Sequence, residues 1–298
     1  VAYLGQWMAG YRRRMTITPA HGPILAFVAV SILAFVFGLQ HSQLTPNLAR
    51  QFSEFLLSIS VALIVIDHVQ DRQYLERSVR VILICGTIAA LIGLILYLIP
   101  IDRSEGVLNT LSRIGYPSGS VLRYIEDNPA NTQRAIGTSV DPNVFGGLLA
   151  MIGALATPQL AAAQPVLGRR WLTWAAFAII LVTLVLTFSR AAMSSLAIAM
   201  LWVSVMRYRR LVWVFVLAVA IVFMLPNLSE VYGMHFVEGL YGRDLATQMR
   251  FGEYKDAFIL LGRYPLLGVG FATAPDIDIY LGVSNAYLTI AEEMGFVG

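Results

Sequence analysis

Long apolar stretches separated by short polar connections make up most of this chain. A helix needs roughly 20 residues to cross the ~30 Å hydrocarbon core of a bilayer, and seven stretches approach that length. One such stretch could be a buried helix of a soluble protein, but seven in succession exclude that interpretation. The pattern predicts an all-α fold, a polytopic transmembrane bundle. The predicted spans are Pro23–Gln40, Phe52–Asp67, Val79–Ile99, Asn143–Ala163, Trp171–Phe188, Ala191–Met206 and Leu211–Leu225.

Arginine clusters indicate how the spans are oriented. They occupy alternate connections, and short cytoplasmic loops of membrane proteins are enriched in basic residues. We therefore expect the clusters to lie in the cytoplasm. The remaining connections then lie outside, including a loop at about 100–142 and the whole segment 226–298, and they carry most of the carboxylates. The clusters are Arg12–Arg14, Arg72 with Arg77 and Arg80, Arg169 with Arg170, and Arg207 with Arg209 and Arg210.

Composition narrows the possible functions. Of 298 residues, 57% are hydrophobic and 13% are charged, whereas soluble domains have about 25% charged residues. The net charge of +3 is dispersed, so we expect no nucleic-acid partner. Cys85 is the single cysteine and the four histidines are scattered, which predicts neither a disulfide framework nor a metal site. No glycine-rich nucleotide loop is present, and we expect no cofactor.

Two regions follow from this pattern. Residues 1–225 are predicted to form the membrane bundle with its outer loop, and residues 226–298 a large outer loop. The chain begins with Val1 rather than Met and stops at Gly-Phe-Val-Gly. We expect it to be part of a longer protein that continues into further spans.

The first polar motif on the predicted outer side is LTFSRAAMSS, which begins at Leu186. It places Ser189 and Arg190 in a very short connection between two spans. An arginine left in hydrocarbon would cost several kcal/mol, so Arg190 must reach lipid headgroups, water or an anionic ligand. A boundary arginine that contacts lipid phosphate and an arginine that binds a substrate fit this pattern equally well.

The second motif is QMRFGEYKDAFILLGRYPLLGVG, from Gln248 to Gly270. Its apolar residues recur at helical spacing and predict an amphipathic helix on the outer membrane surface, which ends before Pro265 and Gly268. An ordinary solvated helix face would show the same pattern. The predicted apolar side holds Met249, Tyr254, Ala257, Phe258 and Leu261, and the predicted polar side holds Arg250, Glu253 and Asp256.

The third motif, SNAYLTIAEEMGFVG, closes the chain. It predicts a helix that is capped by Ser284 and ends near Gly295. Asn285 and Tyr287 lie at the start of this helix, and Glu292 and Glu293 near its end.

In this order and on this topology, the motifs resemble the O-antigen ligase and polymerase family. These are polytopic bacterial membrane proteins that act on lipid-linked glycans. The family pattern contains a Ser-Arg pair that opens a span, an Arg-x-x-x-aromatic helix, a Pro-Leu-x-Gly-x-Gly turn, a His-Asn-x-Tyr-Leu element and Glu-x-Gly-x-x-Gly. The segment RAIGTSVDPNVFGGLLA, from Arg134 to Ala150, also resembles the family's entry to a span. The matching residues are Ser189-Arg190, Arg250 with Tyr254, Pro265–Gly270, Asn285–Leu288 and Glu293–Gly298.

The resemblance implies glycosyl transfer at the outer, periplasmic face of the bacterial inner membrane. The donor would be a glycan on a polyprenyl diphosphate, and the acceptor a hydroxyl of another glycan or glycolipid. The departing diphosphate gains charge, so the implied catalytic residues are the arginines Arg190 and Arg250, which can donate two parallel hydrogen bonds. Arg134 is a third, weaker candidate for this role. The substrate-binding residues that it implies are Arg134, Asn143, Tyr254, Asn285 and Tyr287.

One position departs from the family pattern. Ser284 stands where the resemblance implies a histidine base, and a serine needs a neighbouring base before it can take a proton. Either Glu253 or Asp256 substitutes as the base, or base catalysis is unimportant, or the chain does not catalyse. The alternatives to an enzyme are an inactive relative that serves as a subunit of a membrane assembly, and a transporter.

Overall fold

A computed structural model describes residues 5–6, 8–9, 16–40, 43–69, 71–224, 245–271 and 285–298. Regular structure in these residues is almost entirely α-helical, which confirms the predicted all-α fold. The helices are α1 (His21–Gly38), α2 (Pro46–His68), α3 (Arg72–Leu98), α4 (Ile101–Thr110), α5 (Pro142–Ala161), α6 (Arg170–Leu186), α7 (Arg190–Met206), α8 (Leu211–Met224), α9 (Leu245–Arg263) and α10 (Ala286–Met294).

Each predicted span coincides with a helix, and four of these helices are long and apolar enough to cross a membrane. These are α1, α2, α3 and α5, while α6 and α7 are shorter apolar helices. The second span is longer than predicted because α2 begins at Pro46, where the side chain of Thr45 accepts a hydrogen bond from the Leu48 amide at 3.2 Å. A proline at the first helical position loses no hydrogen bond. The total of seven crossings stays a prediction.

The predicted outer loop at about 100–142 contains more structure than its polar sequence indicated. It includes α4 and a two-stranded antiparallel sheet, β1 (Arg123–Tyr124) and β2 (Gln133–Arg134), in which Arg123 pairs with Arg134. Apolar side chains from separate parts of this segment pack together with the end of α3. The buried members are Leu96, Leu108, Val121, Leu122 and Ile136. Leu96 belongs to the apolar run of α3, and the others occur in apolar stretches of only one or two residues, which are too short for a periodic pattern to mark them.

The chain divides into two compact units. The first unit contains residues Val1–Tyr74 and Gly242–Gly298, and the second contains Leu75–Tyr241. The core of the second unit lies between α5, α6 and α7, where Phe145, Leu149, Ile180 and Leu184 are almost completely buried. Small residues on α5 let α7 approach closely, as is typical of membrane helices.

An aromatic cluster joins the helices of the first unit. The ring of Phe35 on α1 stacks on that of Phe52 on α2 at a centroid distance of 4.1 Å, and Phe271 meets Phe52 edge-on at 4.9 Å. Further along α1, the Ser31 hydroxyl lies 3.6 Å from the sulfur of Met294, and both residues are fully buried. The end of the chain therefore packs on its first long helix.

Candidate functional site

The residues that the sequence selected fall into two groups, one in each unit. Arg134, Asn143 and Arg190 belong to the second unit, and the structure places the segments that carry them next to one another. The first unit holds the other group, on α9 and at the start of α10. Its members are Arg250, Glu253, Tyr254, Asp256, Asn285 and Tyr287.

Arg190 is the first residue of α7, directly after a sharp turn. Between the end of α6 at Leu186 and Arg190 the chain has three residues, and the middle one, Phe188, has a φ of +51°. Non-glycine residues rarely adopt this left-handed conformation. The amide of Ser189 donates to the Thr187 hydroxyl at 3.3 Å and the Ser189 side chain is buried. The turn thus leaves the half-buried Arg190 at the helix start, as the sequence predicted.

Arg134, at the end of β2, contacts this turn directly. Its Nε donates to the carbonyl oxygen of Thr187 at 2.8 Å and its Nη2 to that of Phe188 at 3.5 Å. The same Nη2 donates to Oδ1 of Asn143 at 3.0 Å. The neighbouring amide of Ala135 donates to the carbonyl of Leu186 at 2.8 Å. The sequence suggested Arg134 as a substrate-binding residue and as a third candidate for binding the diphosphate, and did not indicate these contacts.

The start of α5 has a second strained position. Val140 has a φ of +64°, which is unusual for a β-branched side chain. It is followed by Asp141, whose Oδ1 accepts from the amides of Asn143 at 2.6 Å and Val144 at 3.1 Å and so caps the helix. Strained backbone of this kind is concentrated at functional sites. Two such positions, Val140 and Phe188, flank the contacts of Arg134.

On α9 the buried face differs from the predicted one. Glu253 was assigned to the polar side, but it is only 8% exposed and shares the inner face with Ala257, Leu260 and Leu261. Phe258, assigned to the apolar side, is 62% exposed. The assignment of Glu253 to the polar side was wrong, because burial depends on the elements that pack on α9, and these include α10. Arg250, Tyr254 and Asp256 are half-buried.

The helix ends on either side of residues 272–284 are clearly defined. As predicted, α9 ends at Arg263, before Pro265 and Gly268. The cap of α10 is Asn285 rather than Ser284, because Oδ1 of Asn285 accepts from the amides of Tyr287 at 2.9 Å and Leu288 at 3.3 Å. Ser284 itself lies outside the described residues. Tyr287 is 85% exposed.

Backbone hydrogen bonds join the turn Pro265–Gly270 to the end of α10. The amide of Val269 donates to the Glu292 carbonyl at 2.8 Å, and that of Gly270 to the Glu293 carbonyl at 3.0 Å. Gly268 has a φ of +64°, and a Cβ there would overlap the Glu292 carbonyl oxygen. The glycines of the motif are therefore required by close approach of two backbones.

The same turn also contacts α1. A Cβ on Gly270 would lie 2.5 Å from Cα of Gly38, the last residue of α1. The amide of Phe296 donates to the Pro265 carbonyl at 2.8 Å, which fixes the residues that follow α10. We call this arrangement of Gly38, Pro265–Gly270 and the end of α10 the glycine clasp.

Carboxyl groups meet where α10 packs against α9. Burial raises the pKa of Glu292, and the negative charge of Asp256 raises it further. Burial and the adjacent charge of Glu292 raise the pKa of Glu293 to about 7. Both shifts follow from the cost of placing like charges in a poorly hydrated environment. The sequence indicated Glu293 only through the family motif. Two adjacent glutamates in an apolar segment could also have pointed to a functional carboxyl group.

The described residues contain no group of three or more His, Cys, Asp or Glu that could hold a metal ion. The second unit offers a guanidinium group at the start of α7, and the first unit offers a guanidinium group on α9 and carboxyl groups on α9 and α10. Arginines can bind an oxyanion, and a carboxyl group with a raised pKa can take up a proton near neutral pH.

Comparison with known proteins agrees with this chemistry. Residues 175–298 match the family model described as O-antigen ligase, whereas no curated protein and no solved structure matches the chain. The matched region contains Arg190, α9, the turn Pro265–Gly270 and α10. Together with the candidate spans, the match supports a multi-pass membrane protein with a glycan ligase or polymerase role. Residues 175–298 of this chain are therefore similar to the O-antigen ligase family, and the match supports an O-antigen ligase or polymerase family for the protein.

Proposed function

We propose that this protein transfers a glycan from a polyprenyl diphosphate to a hydroxyl of another glycan or glycolipid, at the periplasmic face of the bacterial inner membrane. The observation that carries the proposal is the family match over residues 175–298, which includes both Arg190 and Arg250. The main partners of the protein would then be the lipid-linked glycan and the bilayer. Other membrane proteins could form a complex with it.

In the proposed reaction, the acceptor oxygen attacks the anomeric carbon of the donor sugar. The new glycosidic bond forms as the bond between that carbon and the diphosphate oxygen breaks, and the electron pair stays on the diphosphate. The acceptor proton passes to a base. The largest electrostatic demand is the charge that grows on the leaving diphosphate.

Arg190 and Arg250 are proposed to meet this demand. Arg190 is the first residue of α7, where the helix dipole also favours an anion. Arg250 is half-buried on α9. A guanidinium group stays protonated and can donate two parallel hydrogen bonds to phosphate oxygens. Arg190 and Arg250 would thus supply fixed positive charge to the leaving group.

The proton acceptor is proposed to be a carboxylate, since Ser284 occupies the position of the family's histidine. Glu253 and Asp256 on α9 are the candidates that the sequence supplied, and Glu253 is buried. The structure adds Glu293, whose pKa is raised to about 7. A general base works best when its pKa lies near the operating pH, which favours Glu293 among these carboxyl groups.

Of the substrate-binding residues that the sequence suggested, substrate contacts are proposed for Asn143, Tyr254, Asn285 and Tyr287. The exposed ring of Tyr287 is suited to stacking against a sugar. Oδ1 of Asn285 caps α10, so a contact with a sugar hydroxyl would use the N–H donors of its amide. The glycine clasp supports the proposed location, because Gly38 is the end of α1 that the arginine clusters assign to the outer side.

The test is glycan assembly in cells that lack the native gene and receive each variant at matched membrane abundance. Arg190→Ala and Arg250→Ala should each reduce assembly by about 10²–10³-fold, as expected for the loss of one oxyanion donor. Arg190→Lys and Arg250→Lys should restore little, because the planar fork is lost. Arg123→Ala and Arg263→Ala replace exposed arginines of the same two units and are the matched controls.

Normal assembly from both alanine variants would disprove the proposed role of Arg190 and Arg250 in stabilising the leaving diphosphate. The position of Ser284 favours one competing function, an inactive relative that serves as a subunit of a membrane assembly. If the unmodified full-length protein supports no glycan assembly but co-purifies in stoichiometric amounts with other membrane proteins, that competing function is correct.

A further inference from the structure

Arg134 was predicted to bind substrate, but it donates hydrogen bonds to the protein backbone. Its Nε and Nη2 donate to the carbonyls of Thr187 and Phe188, which follow the end of α6. Carbonyls at the end of a helix have no partner within the helix and carry partial negative charge. A cation that donates to them stabilises both the helix end and the turn that follows it.

The turn that receives these bonds is under strain. Phe188 has a φ of +51°, and a left-handed conformation is energetically unfavourable for a non-glycine residue. The conformation persists only if surrounding contacts stabilise it. Arg134 supplies such contacts on the residue before Phe188 and on Phe188 itself, and the Ala135 amide adds a bond to the Leu186 carbonyl.

Arg134 also links this turn to the start of α5. Its Nη2 donates to Oδ1 of Asn143, the second residue of α5. One turn further on, Gly146 packs so closely on α7 that an added Cβ would lie 3.0 Å from the Cβ atoms of Ser189 and Ala192. The first turns of α5 and α7 are therefore held in one fixed arrangement, with Arg190 directly at its edge.

We propose that Arg134 is a positioning residue that fixes the backbone of the turn 187–189 and thereby sets where the Arg190 guanidinium lies. The inference rests on the proposed function of Arg190 as a ligand of the donor diphosphate. It reassigns Arg134 from a substrate contact to a residue that acts through Arg190.

Lysine cannot replace arginine in this role. Arg134 uses two different nitrogen atoms, with Nε on the Thr187 carbonyl and Nη2 on the Asn143 side chain and the Phe188 carbonyl. A lysine ammonium is a single point and lacks the planar fork. Arg134→Lys keeps the positive charge but loses some of the hydrogen bonds to the turn. The variant therefore distinguishes a positioning role of Arg134 from an effect of its charge alone.

The first experiment is a double-mutant cycle on the full-length protein, with transfer rates measured for Arg134→Lys, Arg190→Ala and the double variant. We expect Arg134→Lys to lower kcat by about tenfold to a hundredfold, as displacement of a reacting group does, while KM for the lipid-linked donor changes by less than about threefold. In the Arg190→Ala background, Arg134→Lys should cause less than about a twofold further loss, since coupled residues are not additive.

The control is Arg123→Lys. Arg123 pairs with Arg134 in the two-stranded sheet but is exposed, and its 3.8 Å ion pair with Asp127 is also exposed. It should leave the rate unchanged. Multiplicative losses in the double variant would overturn the inference and show that Arg134 acts independently of Arg190. A normal rate from Arg190→Ala alone would instead refute the proposed function.

The second experiment does not depend on glycan transfer. Arg190→Cys is introduced together with Cys85→Ser, and the new thiol is labelled with a membrane-impermeant maleimide. If Arg134 fixes the turn, Arg134→Lys should change the labelling rate at position 190 by at least about threefold, and Arg123→Lys should not, because only the first releases the strained turn. Equal labelling rates with and without Arg134→Lys would overturn the inference.

Discussion

Glu293 is a carboxyl group whose surroundings favour its protonated form. It is half-buried on α10 next to Glu292, which in turn lies near Asp256 of α9. Its pKa rises from 4.5 to about 7. In the unfolded chain the same group titrates near its ordinary value, so folding and proton uptake are linked between these two pKa values.

The linkage predicts how stability depends on pH. Because the folded state binds more protons than the unfolded state between about pH 4.5 and 7, stability falls as pH rises through this window. Glu293→Gln should remove this loss. We expect it to raise the thermal midpoint in detergent at pH 8, by an amount that corresponds to about 1–2 kcal/mol after allowance for partial exposure, and to leave the midpoint at pH 4 nearly unchanged.

The control for this prediction is Glu54→Gln. Glu54 is exposed and makes only an exposed i,i+4 ion pair with Arg50 at 3.7 Å, a type worth about 0.3–0.5 kcal/mol. The thermal midpoint of the Glu54→Gln variant should change with pH in the same way as that of the unmodified protein. A Glu293→Gln variant that melts with the same pH dependence as the unmodified protein would contradict the raised pKa.

At the scale of the elements, the glycine clasp joins the end of α1, the turn Pro265–Gly270 and the end of α10. The contact is made by backbone atoms: the Val269 and Gly270 amides donate to the carbonyls of Glu292 and Glu293. A side-chain contact lies beside them, where the Ser31 hydroxyl meets the sulfur of Met294. An apolar interface can repack around a changed side chain, but two backbones in contact leave no room for one.

Gly268→Ala should therefore be strongly destabilising. Its φ of +64° and the overlap of a Cβ with the Glu292 carbonyl together predict that the free energy of unfolding falls by about 1–3 kcal/mol. Gly262→Ala is the matched control near the end of α9, because a Cβ there meets nothing within 4 Å; it should be neutral or slightly stabilising. The measurement is the thermal midpoint of each variant in the same detergent, and equal midpoints would show that the clasp does not bear on stability.

For the whole molecule, the arginine clusters predict the topology. Reporter fusions placed after Arg170 and Arg210 should report a cytoplasmic location, and fusions within Ser104–Asn131 or Glu238–Asp278 an external one, because short cytoplasmic loops retain basic residues. The readout is the activity of paired reporters that function on opposite sides of the membrane. A cytoplasmic location for Glu238–Asp278 would contradict the topology and the proposed site of glycan transfer.

Local features of the sequence were sufficient for the positions of the helices. Hydropathy over some 20 residues, with breaks at prolines and glycines, located the helices from α1 to α8 except for α4. The turn that begins α7 at Arg190 and the end of α9 at Arg263 were also predicted, since both depend on neighbouring residues. The order of the motifs was sufficient to recognise the family that residues 175–298 match.

Tertiary structure decided what the local pattern could not contain. Glu253 is buried on α9, which packs against α10, although the local sequence of α9 predicted a polar side there. Arg134 reaches Thr187 across 53 positions of sequence, and Gly270 meets Gly38 at the opposite end of the chain. Periodicity reports which residues share a face, but the partner of that face is chosen by packing between distant segments. The family motifs therefore selected the residues, and the folded chain assigned their neighbours.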